Sequence, residues 1–319
     1  ERFIDRGIPT GADGYPVQSL KDIVFGDPTE NYSTHEAHIL KAIYEHKLSE
    51  SLKGRFTAAY SDHDKLYQNF YASAYDAAVN TVTLDGYVDT TKRKTSTFQY
   101  ELIGELETGN ILHNWIAGLE YLDVSNDNDR FHADWSYSDT VTDVFSITRP
   151  ISLIRGVGIN SKGNTTVNNY RANQADETFA DVKVLSFYIN DEIALTDSLD
   201  LMLGARFDKM EVDVSGGGPV SDSDDTISPK VGLIYDVTDA ISVYASYSKT
   251  FTPKAKDQYA KLESNADKID PDTFENTEFG LRYDLPVGLS LSAAYFEVEK
   301  NAPTYVDAMT TTMSTSEIS

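Results

Sequence analysis

The sequence predicts an all-β protein, an antiparallel up-and-down transmembrane β-barrel with short periplasmic turns and long extracellular loops. Three observations predict it. Strict alternation of apolar and polar residues recurs along the chain, whereas helical periodicity is scarce. Compact turns and long connections follow one another in strict alternation, as they do in outer-membrane barrels and need not in a sandwich. No apolar run approaches the ~18 residues of a membrane-spanning helix. The mean hydropathy of −0.39 does not argue against a membrane location, because the two faces of a membrane strand cancel in the average.

Ten strands in five hairpins follow from the pattern, at 36–46, 52–62, 95–106, 111–124, 181–195, 199–214, 227–236, 240–250, 274–285 and 289–300. In the second, Leu52, Gly54, Phe56, Ala58 and Tyr60 alternate with Lys53, Arg55, Thr57, Ala59 and Ser61. In the third, Phe98, Tyr100, Leu102 and Leu106 oppose Gln99, Glu101 and Glu105. The sixth sets Leu199, Leu201, Leu203, Ala205 and Phe207 against Asp200, Met202, Gly204, Arg206 and Asp208. The eighth sets Ile241, Val243, Ala245 and Tyr247 against three serines and Tyr244, and the ninth sets Phe279, Leu281, Tyr283 and Leu285 against Glu278, Gly280, Arg282 and Asp284. Successive strand side chains point to opposite faces, so each segment separates an apolar face from a polar one. A charge facing mid-bilayer lipid costs about 2–4 kcal/mol for Arg or Lys. The face bearing Leu199, Leu201, Leu203, Ile241, Val243, Leu281, Leu289 and Leu291 is therefore expected outside, and Arg206, Lys230 and Arg282 inside. Tyr60, Tyr121, Tyr235, Tyr283 and Tyr295 suit an interfacial girdle, or equally ordinary core packing.

Short polar or Gly/Pro turns fall at 48–51, 108–110, 196–198, 237–239 and 286–288. The long connections are 3–34, 65–88, 125–180, 215–226 and 253–273. A loop of about 55 residues points to function.

Composition excludes whole classes of activity. Lys and Arg number 27 against 51 Asp and Glu, a net charge of −24, and binding phosphates of nucleic acid needs a cationic surface. There is no cysteine, which removes disulfides, zinc–thiolate sites, iron–sulfur clusters and thiol nucleophiles. Twenty Tyr and fourteen Phe against four Met favour strands. The Glu1-Arg2-Phe3 start and the Thr- and Ser-rich last ten residues suggest an internal piece of a longer protein.

The residues from Val184 to Lys300 resemble the barrel of a TonB-dependent siderophore receptor of the ferrichrome type. Leu185 to Asp208 is similar to a family hairpin, with Asn190-Asp191 at the usual Gln-Asp and Phe207 at the usual Tyr. Ile227-Ser228-Pro229-Lys230-Val231-Gly232-Leu233-Ile234-Tyr235, the run from Val243-Tyr244-Ala245-Ser246-Tyr247-Ser248 to Pro253, and Ile269-Asp270-Pro271 through Tyr283-Asp284 resemble further family motifs in order. Asp5-Arg6-Gly7-Ile8-Pro9, Phe25-Gly26-Asp27-Pro28 and Tyr67-Gln68-Asn69 fit more loosely. The resemblance implies that residues 1–319 are part of a barrel of ~22 strands, and that the family's plug domain and C-terminal strands are not in this sequence. It implies a receptor in the Gram-negative outer membrane, surrounded by lipid and lipopolysaccharide, that carries a ferric siderophore and is energised by the TonB complex through the plug. The siderophore is a transported ligand, and no covalent cofactor is expected. A passive porin and a docking surface for phage or bacteriocin are the competing readings.

Candidate binding residues come from the long connections. Tyr67, Phe70 and Tyr71 open one, and Trp135 and Tyr137 lie in the longest. Aromatic faces with a few polar groups suit a bulky iron chelate, and serve equally for packing within loops. Arg155 and Arg171 are placed to attract an anionic chelate or to sit exposed. His35 and His38 fall on opposite strand faces, which disfavours a shared metal. The acidic stretch 123–129, with Asp134, Asp139 and Asp143 beyond it, reads as a solvated loop or as oxygen ligands for Ca²⁺, without the EF-hand glycine and closing Glu. No serine has a strand–elbow–helix context, and the Gly-rich runs at 156–158 and 216–218 open no helical pattern, so no enzyme is expected.

Overall fold

The computed structural model describes residues 8–23, 25–26, 31–134, 142–147, 157–159, 165–167, 169–215, 220–252, 271–301, 305–306 and 313–314. Their strands are β1 (Tyr32–Lys47), β2 (Leu52–Asp76), β3 (Thr81–Thr108), β4 (Ile111–Asp134), β5 (Thr142–Ser146), β6 (Val157–Ile159), β7 (Thr165–Val167), β8 (Asn169–Thr196), β9 (Leu199–Ser215), β10 (Val220–Thr238), β11 (Ile241–Thr252), β12 (Asp272–Leu285), β13 (Leu289–Asn301), β14 (Tyr305–Val306) and β15 (Met313–Ser314). One short 3₁₀ turn, Gln18–Leu20, is the only helical element among the described residues. The main sheet runs β1-β2-β3-β4-β8-β9-β10-β11-β12-β13, with β5 added to β3. Ten long strands therefore follow one another as an antiparallel meander, in the places the alternation indicated.

The short turns also fall where expected, with Gly109 and Gly288 at φ 67 and 78, a region other residues avoid. The strands, however, are longer than predicted. Connection 65–88 is no loop: β2 and β3 run through it and meet in a four-residue turn at 77–80. There Ala78 N–H donates to Asp76 Oδ1 at 2.8 Å, and Tyr75 Oη donates to Asn80 Oδ1 at 2.9 Å. Connection 215–226 is likewise mostly strand. So is the acidic stretch 123–129, which lies inside β4. Connection 125–180 shortens from both ends, and most of 253–273 lies outside the described residues. The physical reason is length. A tilted membrane strand needs about 9–11 residues, whereas β2 has 25 and β3 has 28, so much of that hairpin extends beyond a spanning length and follows another face pattern.

The chain forms two compact units. One comprises Glu1–His38, Asp62–Lys94 and Asn126–Phe179; the other comprises Ile39–Ser61, Thr95–Ser125 and Ala180–Ser319. The first has a core of Leu20, Phe25, Phe70, Ala72, Val82 and Leu84. Asn31 fastens the strand edge to it, donating from Nδ2 to the Phe70 carbonyl at 2.9 Å and accepting at Oδ1 from Phe70 N–H at 3.1 Å.

In the second unit, register settles the faces. Leu199 pairs with Tyr235, Tyr235 with Val243, Val243 with Leu281, and Tyr283 with Leu291. On the opposite face Arg206 pairs with Ser228, Lys230 with Gly204 and Ser248, and Arg282 with Ser242 and Ser292. The leucines and the three cations thus point to opposite sides, as the sequence indicated. Tyr235, Tyr283 and Tyr295 share the leucine side.

The face pattern inverts partway along β9. From Leu199 to Phe207 the odd positions are apolar; beyond, Lys209, Glu211 and Asp213 occupy them, while Met210, Val212 and Val214 are buried on the even side. The same exchange occurs in β8, where Leu185, Phe187 and Ile189 are exposed on one side and Ala180 and Val182 are buried on the other. Val124, Ala180, Val182, Met210, Val212 and Val214 form a small core above the exchange. Exposed apolar side chains give way to exposed charges at this level, as they do at the edge of the apolar band of a membrane barrel.

Candidate functional site

The described residues gather one aromatic and charged site, on β2, β3 and β4 of the first unit. Tyr71 Oη donates to Asp85 Oδ2 at 3.1 Å. Tyr71 meets Tyr87 edge-on, with ring centroids 6.1 Å apart, and Tyr67 is tilted against Tyr87 at 5.9 Å. The Arg130 guanidinium lies 4.8 Å over the Tyr87 ring. It also donates from Nε and Nη2 to the two carboxylate oxygens of Asp89, both at 2.7 Å. A bidentate fork of this kind fixes the plane of the guanidinium, and a cation over a ring face adds attraction. That hydrogen bond to Asp89, working against partial burial, holds the Arg130 pKa above its ordinary value.

Strand alternation explains the grouping. Residues 85, 87 and 89 of β3 share one face, and Leu84, Gly86 and Val88 point the other way into the core. Next to the site Arg93 Nε donates to Asn126 Oδ1 at 2.9 Å. Asp127, on the other face of β4, has its Oδ1 buried without a hydrogen-bond partner. Burial, and then the neighbouring Asp129 charge, push its carboxyl pKa up, with Lys92 opposing.

Of the predicted binding residues, Tyr67 and Tyr71 come together here. Phe70 does not: it is fully buried, and its ring is spent in the core with Leu20 and Phe25. Trp135, Tyr137 and Arg155 lie outside the described residues, as does the side chain of Arg171 on β8. Sequence reasoning missed Tyr87, Arg130, Asp85 and Asp89. The signal was present in the alternation of Asp85, Tyr87 and Asp89 with apolar residues, which marks a strand where a loop was expected.

The second unit carries a polar inner wall. Arg206 donates to Glu120 at 2.7 Å, to Asp208 at 2.8 Å and to Ser186 at 2.6 Å, and stacks over Tyr188 at 5.5 Å. Tyr188 donates to Glu101 at 2.7 Å, and Glu101 accepts from Arg55 at 2.6 Å. Charges on this face are paired side by side, opposite a face of exposed apolar side chains, the division found in membrane barrels. His35 stacks on His63 at 5.3 Å, whereas His38 bonds Glu36 at 3.0 Å. Among the described residues no three His, Cys, Asp or Glu side chains gather to hold a metal.

Comparison with known proteins agrees with this architecture. The family model described as TonB dependent receptor-like, beta-barrel, matches residues 4–316, and the chain belongs to that family. The probable TonB-dependent siderophore receptor PiuA of Acinetobacter baumannii is 26% identical over 330 aligned positions, covering 96% of this chain and 44% of PiuA. The crystal structure of PiuA superposes with a TM-score of 0.77 at 22% identity, covering 98% of this chain and 47% of that one. The closed form of the ferric-catecholate import receptor Fiu of E. coli K12 gives 0.72 at 18% identity, covering 92% and 44%. The chain spans a little under half the length of these relatives.

Proposed function

We propose that this chain is the strand-rich part of an outer-membrane receptor that imports ferric siderophores into a Gram-negative bacterium, energised by the TonB complex through a plug domain outside residues 1–319. The observation that carries the reading is the family match over 4–316. The two-faced strands support it, since they provide a lipid-facing exterior and a paired polar interior. In this reading Tyr67, Tyr71 and Tyr87, steadied by Arg130, present aromatic edges to the chelate at the end of the strands away from the short turns. Trp135, Tyr137 and Arg155 belong to the connection that follows β4, and they are proposed to join the three tyrosines together with Arg171 near the start of β8. Rigid rings with one polar tip supply large contact area at small entropic cost. The test is uptake of radiolabelled ferric siderophores by an iron-starved strain lacking the native gene and complemented with the full-length one. Saturable uptake that vanishes when TonB is deleted is expected. Unsaturable, TonB-independent entry would make the protein a porin.

A further inference from the structure

Within the first unit two histidines come together beside the tyrosine cluster. β1 and β2 are neighbours in the sheet, and His35 of β1 meets His63 of β2 across them, with His35 Nε2 3.0 Å from His63 Nδ1. The ring planes lie 20° apart. Alternation along β2 puts His63, Lys65, Tyr67 and Tyr71 on one side, so the pair lies about 13 Å along the strand from Tyr67. Lys65 stands between them and is exposed. Asp62 and Asp64 flank His63 but turn to the opposite side, as do Glu36 and His38, which bond each other at 3.0 Å. Near the pair, therefore, no carboxylate of these two strands shares its side. On β3 the same side carries Asp89, held by Arg130, and Arg93, which donates to Asn126.

Two neutral imidazoles joined in this way share one hydrogen, which one nitrogen donates and the other accepts. The same nitrogens hold a metal ion once the donor ring carries its hydrogen on its other nitrogen, and that exchange neither gains nor loses a proton. At the metal–imidazole distance of ~2.0–2.1 Å, nitrogens as far apart as these subtend about 94° at the metal. This is close to the right angle between neighbouring ligands in the tetragonal geometry of Cu²⁺ and Ni²⁺, and well short of a tetrahedral angle. Two imidazoles leave the other positions of such an ion open. The Lys65 ammonium repels a bare divalent cation and attracts carboxylate oxygens, so this side of the strands favours a metal already neutralised by a carboxylate chelator.

We propose that His35 and His63 form a docking site for chelated Cu²⁺ or Ni²⁺, carried by a carboxylate chelator that leaves two adjacent coordination positions open. The imidazole nitrogens fill those positions, a turn of the two rings aiming both at one ion, and Lys65 takes a carboxylate of the chelator. The proposal rests on the histidine pair and is independent of which ferric chelate the tyrosines meet.

The test titrates the full-length receptor, purified in mild detergent without a polyhistidine tag, with Cu²⁺–iminodiacetate, a carboxylate chelate that leaves two adjacent positions free. Electron paramagnetic resonance reads the binding, and its pulsed form counts the coordinated imidazoles. One site with two imidazoles is expected. His35→Ala and His63→Ala should each weaken binding about a hundredfold, because the second nitrogen no longer binds intramolecularly, and each should leave one imidazole. Lys65→Glu should weaken binding of the chelate and strengthen binding of bare Cu²⁺. Heat-modifiable gel mobility identifies folded receptor, and only folded samples are compared. A single imidazole in the parent, or parent-like affinity in either histidine variant, overturns the site. An equal loss in His38→Ala, on the other side of the strand, overturns its assignment to the pair. Lys65→Glu binding the chelate like the parent overturns the carboxylate contact. Loss of the copper chelate by His35→Ala with ferric-siderophore uptake intact supports a site separate from the tyrosines, and loss of both overturns that separation.

Discussion

Single positions in this sheet carry unequal weight. At Gly118 any β-carbon would run into the Tyr188 ring, and the same holds for Gly86 against Phe70 and Gly280 against Tyr244. An aromatic ring laid over a strand glycine fills the space the missing side chain leaves. Gly118→Val should displace Tyr188 and remove its hydrogen bond to Glu101. The expected loss is about 1–3 kcal/mol, seen as a lower midpoint temperature in heat-modifiable gel mobility; an unchanged midpoint would show that the ring can move freely. Asp127 gives a pH test. Its carboxyl pKa is raised in the folded protein by burial, so the folded state holds its proton more tightly than the unfolded state does. Stability therefore falls as pH rises from the ordinary carboxylate value through the raised one, and the penalty is complete above it. Asp127→Asn should melt higher than the parent at neutral pH, and the difference should close as pH falls to about 3. A difference independent of pH would assign the effect to shape and not to charge.

The hairpin β2–β3 with β4 is the element on which ligand capture depends. Replacing Tyr67, Tyr71 or Tyr87 by Ala in the full-length receptor should weaken ferric-siderophore binding, with the best anchor losing ~2 kcal/mol, about thirtyfold. Titration of each variant with the chelate is the measurement, and three variants binding like the parent would move the site elsewhere. This element also shows what the sequence could and could not say. Strands near the short turns were legible because one face meets lipid, and Leu199-x-Leu201-x-Leu203 can mean little else. Farther along, water lies on one side and a small protein core on the other, so β2 and β3 mix Tyr, Asp and Gly and look like loop. Tyr67 and Tyr71 were readable as aromatics in a long connection. Phe70 was equally readable there, and only the strand period, once known, turns it the other way into the core.

For the molecule as a whole, the two faces set the tolerance to charge. Leu203 lies midway between the turn at 197–198 and the boundary at Lys209, on the lipid side; Met202, beside it, points inward. Leu203→Lys should cost about 2–4 kcal/mol, the figure for a cation near the bilayer midplane, while Met202→Lys should cost far less. Urea unfolding of the receptor in lipid vesicles measures both. Equal losses would mean that the leucine face does not meet lipid.

The inversion in β8 and β9 has a consequence for assembly. In an ordinary two-faced strand a slip of one residue is forbidden, because every side chain changes side, but a slip of two restores the pattern. Here a slip of two along β9 would carry Lys209 to the depth of Phe207 and bring the buried Val212 and Val214 out of step with Val182 and Val124. The exchange of faces therefore works as a depth mark cut into the strand. It lets neighbouring strands find one vertical alignment as they pair in the membrane, where simple alternation would accept several.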